Sequence, residues 1–324
     1  MTKSRCGFRG AAAAKRLRKN KTERISLKSK NLRGGVLLLI TAMIWGAAFV
    51  AQSAGMEYIG PFTFNGIRML LGGVVLMPFI WRTARRRAPA EKARADKRAL
   101  WLGGVLCGVA LFVGSTLQQI GIADTSAGKA GFITAMYVVL VPLCGLLLGK
   151  RETWLLWVSV ALACVGLYLL CVRETAALTR GDLMVLLGAL GFTAHILLID
   201  HFSPKVDGVQ LSCIQFLVSG ALALCFMAVL ETPTWAAVRA AWLPLAYTGV
   251  FSCGVAYTLQ ILGQKDTDPT VASLILCLES VFSVLFSWLL LHERLSAGEL
   301  AGCALMFAAI LLAQFSGKKA QKSL

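Results

Sequence analysis

The stretch "TLQQIGIADTSAGKA" at residues 116–130 decides the fold, because it returns without a gap as "TLQILGQKDTDPTVA" at 258–272. Seven of the fifteen aligned positions are identical: Thr116/Thr258, Leu117/Leu259, Gln118/Gln260, Gly121/Gly263, Asp124/Asp266, Thr125/Thr267 and Ala130/Ala272. Apolar segments match one another by composition, so the shared polar residues carry the weight. A weaker echo pairs "NGIRMLLGG" from Asn65 with "SCIQFLVSG" from Ser212. The chain therefore reads as two similar halves.

Around this repeat the chain is overwhelmingly apolar. Its 324 residues are 57% hydrophobic, with a mean hydropathy of +0.71, too few polar residues to cover a soluble surface. Crossing ~30 Å of hydrocarbon takes about 20 apolar residues. Ten such runs are found, at 34–55, 62–81, 99–121, 125–148, 154–172, 182–200, 210–230, 241–263, 269–291 and 297–315. The expectation is an all-α polytopic membrane protein of ten transmembrane helices in two inverted five-helix repeats. Residues 34–173 form the first repeat and 181–316 the second, with a basic tail over 1–33 and a C-terminal tail over 317–324. Five is odd, so the second half enters the membrane in the opposite direction. Secondary transporters use that architecture for alternating access.

The net charge of +17 is not spread evenly. Twelve Lys and Arg residues lie within 1–33 and eight within 82–98. With a cytosolic N-terminus, 27 of the 33 fall on the cytosolic side, against Arg173, Arg180, Arg239 and Arg294 on the other. The positive-inside rule then places both termini in the cytosol of a cell (inner) membrane protein. The basic blocks carry no interleaved aromatics, so they suit anionic lipid and not nucleic acid. The first 33 residues have no apolar core and are no secretory signal. A disordered cytosolic tail, a transit peptide and an over-extended start all suit their composition.

Enzyme signatures are missing: there is no H-E-x-x-H, P-loop or G-x-S-x-G in the sequence, so neither a metal nor a cofactor is expected. The ten cysteines are dispersed and read as small packing residues. The rival class is a polytopic intramembrane enzyme or lipid-handling protein that does not cycle. Two fused halves complete a pathway, so a monomer suffices, although the fifth and tenth helices offer a dimer surface.

The motifs "IWGAAFVAQSAG", "TSAGKAGFITAMYVVLVPLCGLLLGK" and "ASLILCLESVFSVLFSWLLLHERLS" resemble the drug/metabolite transporter superfamily, and more narrowly its ten-helix EamA-type branch. The resemblance covers about residues 34–316. It implies a paired-half bundle, cytosolic termini and movement of small metabolites or drug-like compounds, often outward. One departure is that Glu293 closes "LLLHE" whereas Glu152 follows "LLLGKRE" two positions later.

Ionisable groups inside hydrocarbon cost about 2.5–3.5 kcal/mol on insertion scales and usually face a cavity or a partner. Glu279, mid-span and too short to reach the interface, is the leading candidate: it carries a coupling proton, binds a substrate amine, or ties its helix to a neighbour. Lys129 lies near a helix end, where its stem can lift the ammonium to the interface, or it serves an anionic substrate. Arg68 either binds a carboxylate or phosphate or pairs with Glu57 or Asp124 near the rim. His195 relays protons or is simply hydrogen-bonded in the bundle. Gln118 and Gln260 hold equivalent places, with Gln119 and Tyr257 beside them. They line a shared pathway or make interhelical hydrogen bonds. Trp45, Tyr137 and Asn65 complete the candidate lining. Gly104 and Gly108 set up close helix contact, and Pro78, Pro142 and Pro244 are candidate bending points.

Overall fold

The computed structural model describes residues 32–86, 96–124, 127–150, 152–171, 179–291 and 296–320. Among them there are only helices, turns and short connections. We number the membrane helices α1 (Leu32–Met56), α2 (Pro61–Arg86), α3 (Lys97–Asp124), α4 (Ala127–Ala135 continued by Tyr137–Leu147), α5 (Trp154–Cys171), α6 (Arg180–Phe202) and α7 (Gly208–Leu230). They continue as α8 (Trp242–Gln264), α9 (Pro269–Leu276 continued by Leu278–Leu291) and α10 (Ala297–Ala320). Among the described residues, eight carry a stretch long and apolar enough to cross a bilayer. The apolar parts of α5 and α10, Trp154–Leu169 and Leu300–Ala313, are shorter. The helices start close to the expected positions, although α1 begins at Leu32 and α10 runs on to Ala320. Most of the basic tail, the 87–95 block, the Lys129 side chain and Glu293 lie outside the described residues.

Local chemistry fixes the helix starts. Thr179 and Asp182 form a reciprocal capping box at α6: the Thr179 hydroxyl accepts from the Asp182 N–H at 3.1 Å, and the Asp182 carboxylate from the Thr179 N–H at 2.7 Å. Asp207 caps α7 and Asp268 caps α9, the latter ahead of Pro269 at the first helical position. The start of α2 is capped from the other half. Glu231, just past α7, accepts from the Phe62 and Thr63 N–H groups at 2.9 and 2.8 Å and from the Thr63 hydroxyl at 2.5 Å. A carboxylate there also meets the positive end of the helix dipole.

Packing carries the repeat into three dimensions. In lipid, helices associate through close van der Waals contact, which favours small residues. A Cβ on Gly121 of α3 would lie 2.6 Å from the Gly181 carbonyl of α6, beside Val185. A Cβ on Gly263 of α8 would lie 3.0 Å from the Gly34 carbonyl of α1, beside Leu38. Gly34/Gly181 and Leu38/Val185 are both 147 residues apart, so the two contacts are one contact made twice. Likewise Gly73 of α2 meets Leu217 of α7 while Gly220 of α7 meets Leu70 of α2. A pseudo-two-fold axis therefore runs between the halves, passing through the α2–α7 contact. Gly104 and Gly108 seat α3 on α7 against Ile214 and Val218, as their spacing predicts. Exposed apolar side chains such as Val74, Leu102, Val165 and Leu187 lie outward, where lipid would be.

The expected bending point at Pro142 is not where α4 breaks. Pro142 sits inside the second piece, and the break falls at Met136 (φ −60°, ψ −13°). The corresponding break in α9 falls at Cys277 (φ −57°, ψ −17°), one residue from strict repeat register. Pro78 likewise lies within a continuous α2. Pro244 precedes a π-helical stretch over Tyr247–Tyr257. Helix α1 serves that stretch: Thr41 Oγ1 donates to the Ala256 carbonyl at 3.1 Å, Trp45 Nε1 to the Ser252 carbonyl at 3.4 Å, and Tyr247 donates back to the Ile44 carbonyl at 3.0 Å.

Candidate functional site: a cavity on the pseudo-two-fold axis

A cavity with about 500 Å³ of empty space, its mouth included, opens between the halves. It is lined by Trp45, Phe49, Gln52, Arg68, Gln118, Thr134, Tyr137, Phe192, His195, Ile196, Ser252, Tyr257, Gln260, Leu276 and Glu279. Several of these are repeat equivalents. Gln118/Gln260, Thr134/Leu276 and Tyr137/Glu279 share the 142-residue offset, and Trp45/Phe192 and Phe49/Ile196 the 147-residue one. A cavity walled by equivalent residues from both halves lies on the axis that relates them.

The centre of that axis is a hydrogen bond. Tyr137 Oη donates to Glu279 Oε1 at 3.1 Å, across 142 residues. Each residue follows the break in its helix, and beside them Cys277 Sγ meets the Ala135 carbonyl at 3.5 Å, again 142 residues apart. Just past these breaks Tyr137 and Glu279 face one another. Glu279 is only 4% exposed, and Tyr137 is the one hydroxyl that reaches it among the described residues.

Arg68 stands elsewhere in the cavity and is 2% exposed. Its Nε donates to Asn65 Oδ1 at 2.7 Å and its Nη1 to Gln52 Oε1 at 2.9 Å. Pairing with Glu57 or Asp124 is thus corrected. Both of those residues are exposed at helix ends, whereas the guanidinium turns inward to neutral amides. Asn65 is itself fixed by donating to the Ser115 carbonyl at 3.0 Å. No carboxylate pairs with Arg68 among the described residues.

The remaining wall is aromatic and amide. Trp45 and Tyr257 lie with ring centroids 4.6 Å apart, and His195 stands edge-on to Tyr257 at 5.8 Å. His195 Nε2 meets Gln215 Oε1 at 3.0 Å, so the histidine is held in the bundle by a glutamine. Gln118 donates to Thr134 at 3.0 Å. Its equivalent Gln260 leaves its buried amide oxygen without a partner. Gln119 lies behind the wall, donating to the Gln52 carbonyl at 3.3 Å.

The structure thus brings Glu279, Arg68, Gln118, Tyr257, Gln260, His195, Trp45 and Tyr137 to one cavity, with Asn65 and Gln119 supporting it from behind. Sequence reasoning missed Phe49, Gln52, Thr134, Phe192, Ile196, Ser252 and Leu276. A polar residue inside the first apolar run marked Gln52, and carrying the helix 2/7 offset back one helix would have paired Phe192 with Trp45. Among the described residues no group of His, Cys, Asp and Glu side chains could hold a metal ion.

An axial cavity between two inverted halves of a polytopic helical membrane protein defines a membrane-transport class of fold. The EamA-like transporter family matches the chain twice, over residues 32–172 and 179–315, and the chain belongs to that family. It is 32% identical over 284 residues to an uncharacterized transporter of Archaeoglobus fulgidus, covering 87% of this chain and 86% of that one. It is 24% identical over 278 residues to the uncharacterized inner membrane transporter YedA of Escherichia coli, covering 83% and 87%. A solved crystal structure shares the fold, with a TM-score of 0.72 at 16% identity over 88% of this chain and 98% of that one.

Proposed function

We propose that the chain is a secondary transporter that moves small metabolites or drug-like compounds outward across the cytoplasmic membrane by alternating access, with proton coupling at Glu279. The observation that carries this reading is the Tyr137–Glu279 hydrogen bond between repeat equivalents. In alternating access by inverted repeats, the two halves exchange conformations. A contact between equivalent residues maps onto itself in that exchange and persists as a pivot. Contacts away from the axis must part. Two such contacts join the halves at the face expected to be cytosolic: the Lys150–Asp200 ion pair at 2.7 Å and the Thr270–Glu152 hydrogen bond at 2.9 Å. Both bring the α4–α5 connection to the second half; the Lys150–Asp200 pair is exposed, hence cheap to break, and the Thr270–Glu152 bond is part-buried. The outward direction rests on the resemblance to a branch whose members often export. The cytosolic termini rest on the distribution of positive charge.

The test is to overexpress the wild-type chain and Glu279→Gln in matched cells and profile small metabolites inside and outside. Redistribution of one compound class by wild type alone supports the reading. Equal redistribution by both variants removes Glu279 from the coupling role. No redistribution by either, with both in the membrane, favours an intramembrane protein that does not cycle.

A further inference from the structure

The cavity holds one buried basic side chain, Arg68, and one buried acidic side chain, Glu279, that do not pair with each other. Arg68 uses two of its N–H donors on neutral amide oxygens, and Glu279 has a tyrosine hydroxyl. A buried guanidinium with no anion is costly unless something compensates it, and ionising the buried carboxyl carries a similar cost. Helix α1 packs against both residues. Gln52, which grips Arg68, lies six residues beyond Gly46, where a Cβ would lie 2.9 Å from the Glu279 backbone carbonyl. At 1.5 Å per residue, the α1 position that grips Arg68 and the one packed on the Glu279 backbone are about 9 Å apart.

What lies between them is apolar. Trp45, Phe49 and Gln52 line the cavity from one face of α1, at positions i, i+4 and i+7. Phe49 is thus midway between the anchors, and Trp45 stands at the level of Glu279, where an indole face would attract a ligand cation.

We propose that the cavity takes a small zwitterion with its carboxylate and its ammonium at opposite ends of an apolar body several carbon atoms long. The carboxylate sits on the free N–H groups of Arg68 and the ammonium between Glu279 and Trp45, with the body along Phe49. This names the substrate class of the site described above, and as a transported substrate it rests on the transporter reading. A compact zwitterion with adjacent charges cannot reach both anchors, and a singly charged compound leaves one of them bare.

The test measures binding by calorimetry to the purified full-length chain in lipid nanodiscs. The probes are 6-aminohexanoate, glycine, hexanoate and 6-aminohexanamide. Truncating one partner of a buried charge pair weakens binding by roughly thirtyfold or more. That loss is expected for hexanoate and 6-aminohexanamide on wild type, and glycine is expected to bind no better. In Arg68→Gln, 6-aminohexanoate should fall to the level of its amide, while Arg68→Lys, which keeps the charge, should retain part of the difference. In Glu279→Gln it should fall to the level of hexanoate. Equal binding of any comparison compound to the wild type overturns the proposal. So does absence of 6-aminohexanoate binding to wild type that elutes as a single species. Counterflow in proteoliposomes separates the two readings. Selective binding without exchange leaves the ligand class standing and defeats transport. Exchange confined to uncharged or singly charged compounds does the reverse.

Discussion

Replacing Tyr137 by phenylalanine removes one hydroxyl and leaves the ring in place. That hydroxyl is the side-chain donor to Glu279, a carboxylate only 4% exposed. A hydrogen bond to a charged group contributes about 1.5–3 kcal/mol in proteins generally, whereas side-chain hydrogen bonds inside membranes average about 0.6 and reach about 1.7. The burial of Glu279 places this bond toward the upper end of the membrane range, so Tyr137→Phe should cost about 1–2 kcal/mol. In a Glu279→Gln background the acceptor is a neutral amide, and the same change should cost about 0.5 kcal/mol. The coupling in the double-mutant cycle is then about 1 kcal/mol. It can be measured by unfolding all four proteins with SDS in bicelles. Independent sites add to within about 0.3–0.5 kcal/mol. Coupling inside that band would mean that the hydrogen bond does not hold the axis together, and the pivot would be refuted.

Three further outcomes follow from the packing and the connections. Gly121→Ala should destabilise by about 1–3 kcal/mol through overpacking against the Gly181 carbonyl. Gly254→Ala, whose new methyl would meet nothing nearer than 3.5 Å, should be neutral or gain up to about 1 kcal/mol of helix propensity; thermal unfolding in detergent ranks the pair. Glu231→Gln should weaken the cap on α2 by about 1–2 kcal/mol in the same assay, because one oxygen must serve donors now shared by two. Burial, together with the nearby Asp268, raises Glu152 above the ordinary carboxylate range. An acid whose pKa is raised by folding penalises the folded state above that pKa and loses the penalty as pH falls through it. Stability should therefore rise as pH falls through the raised value, and Glu152→Gln should flatten that part of the profile.

Much of this was legible from residue spacing. The seven identities between 116–130 and 258–272 include glycines and glutamines that the structure places at the α3–α6 and α8–α1 contacts and in the cavity wall. Those positions are restricted by backbone approach or by polarity, so similarity survives there. The pairing of Tyr137 with Glu279 lies only seven residues past the end of that alignment. It stays hidden because a phenol and a carboxylate share no chemical likeness until they are found facing each other. The break at Met136 has no proline or glycine to announce it. It follows from packing about the axis, whereas Pro142, the visible signal, sits in continuous helix. The depth of Arg68 in its apolar run points only to Glu57 and Asp124 at the rim. Its direction is set by Asn65, one turn before it, and by Gln52 on the facing helix. The sequence does not reveal which helix faces it.

The most direct test of alternating access works with the substrate still unidentified. Sealed proteoliposomes containing the purified chain are loaded with an unlabelled cell metabolite extract and diluted into an isotopically labelled one. Under alternating access, labelled compounds of one class accumulate in exchange for their unlabelled counterparts, saturably, and only where the protein is present. Non-saturable equilibration of many compounds would indicate an open pore, and no exchange at all by folded protein would contradict transport itself.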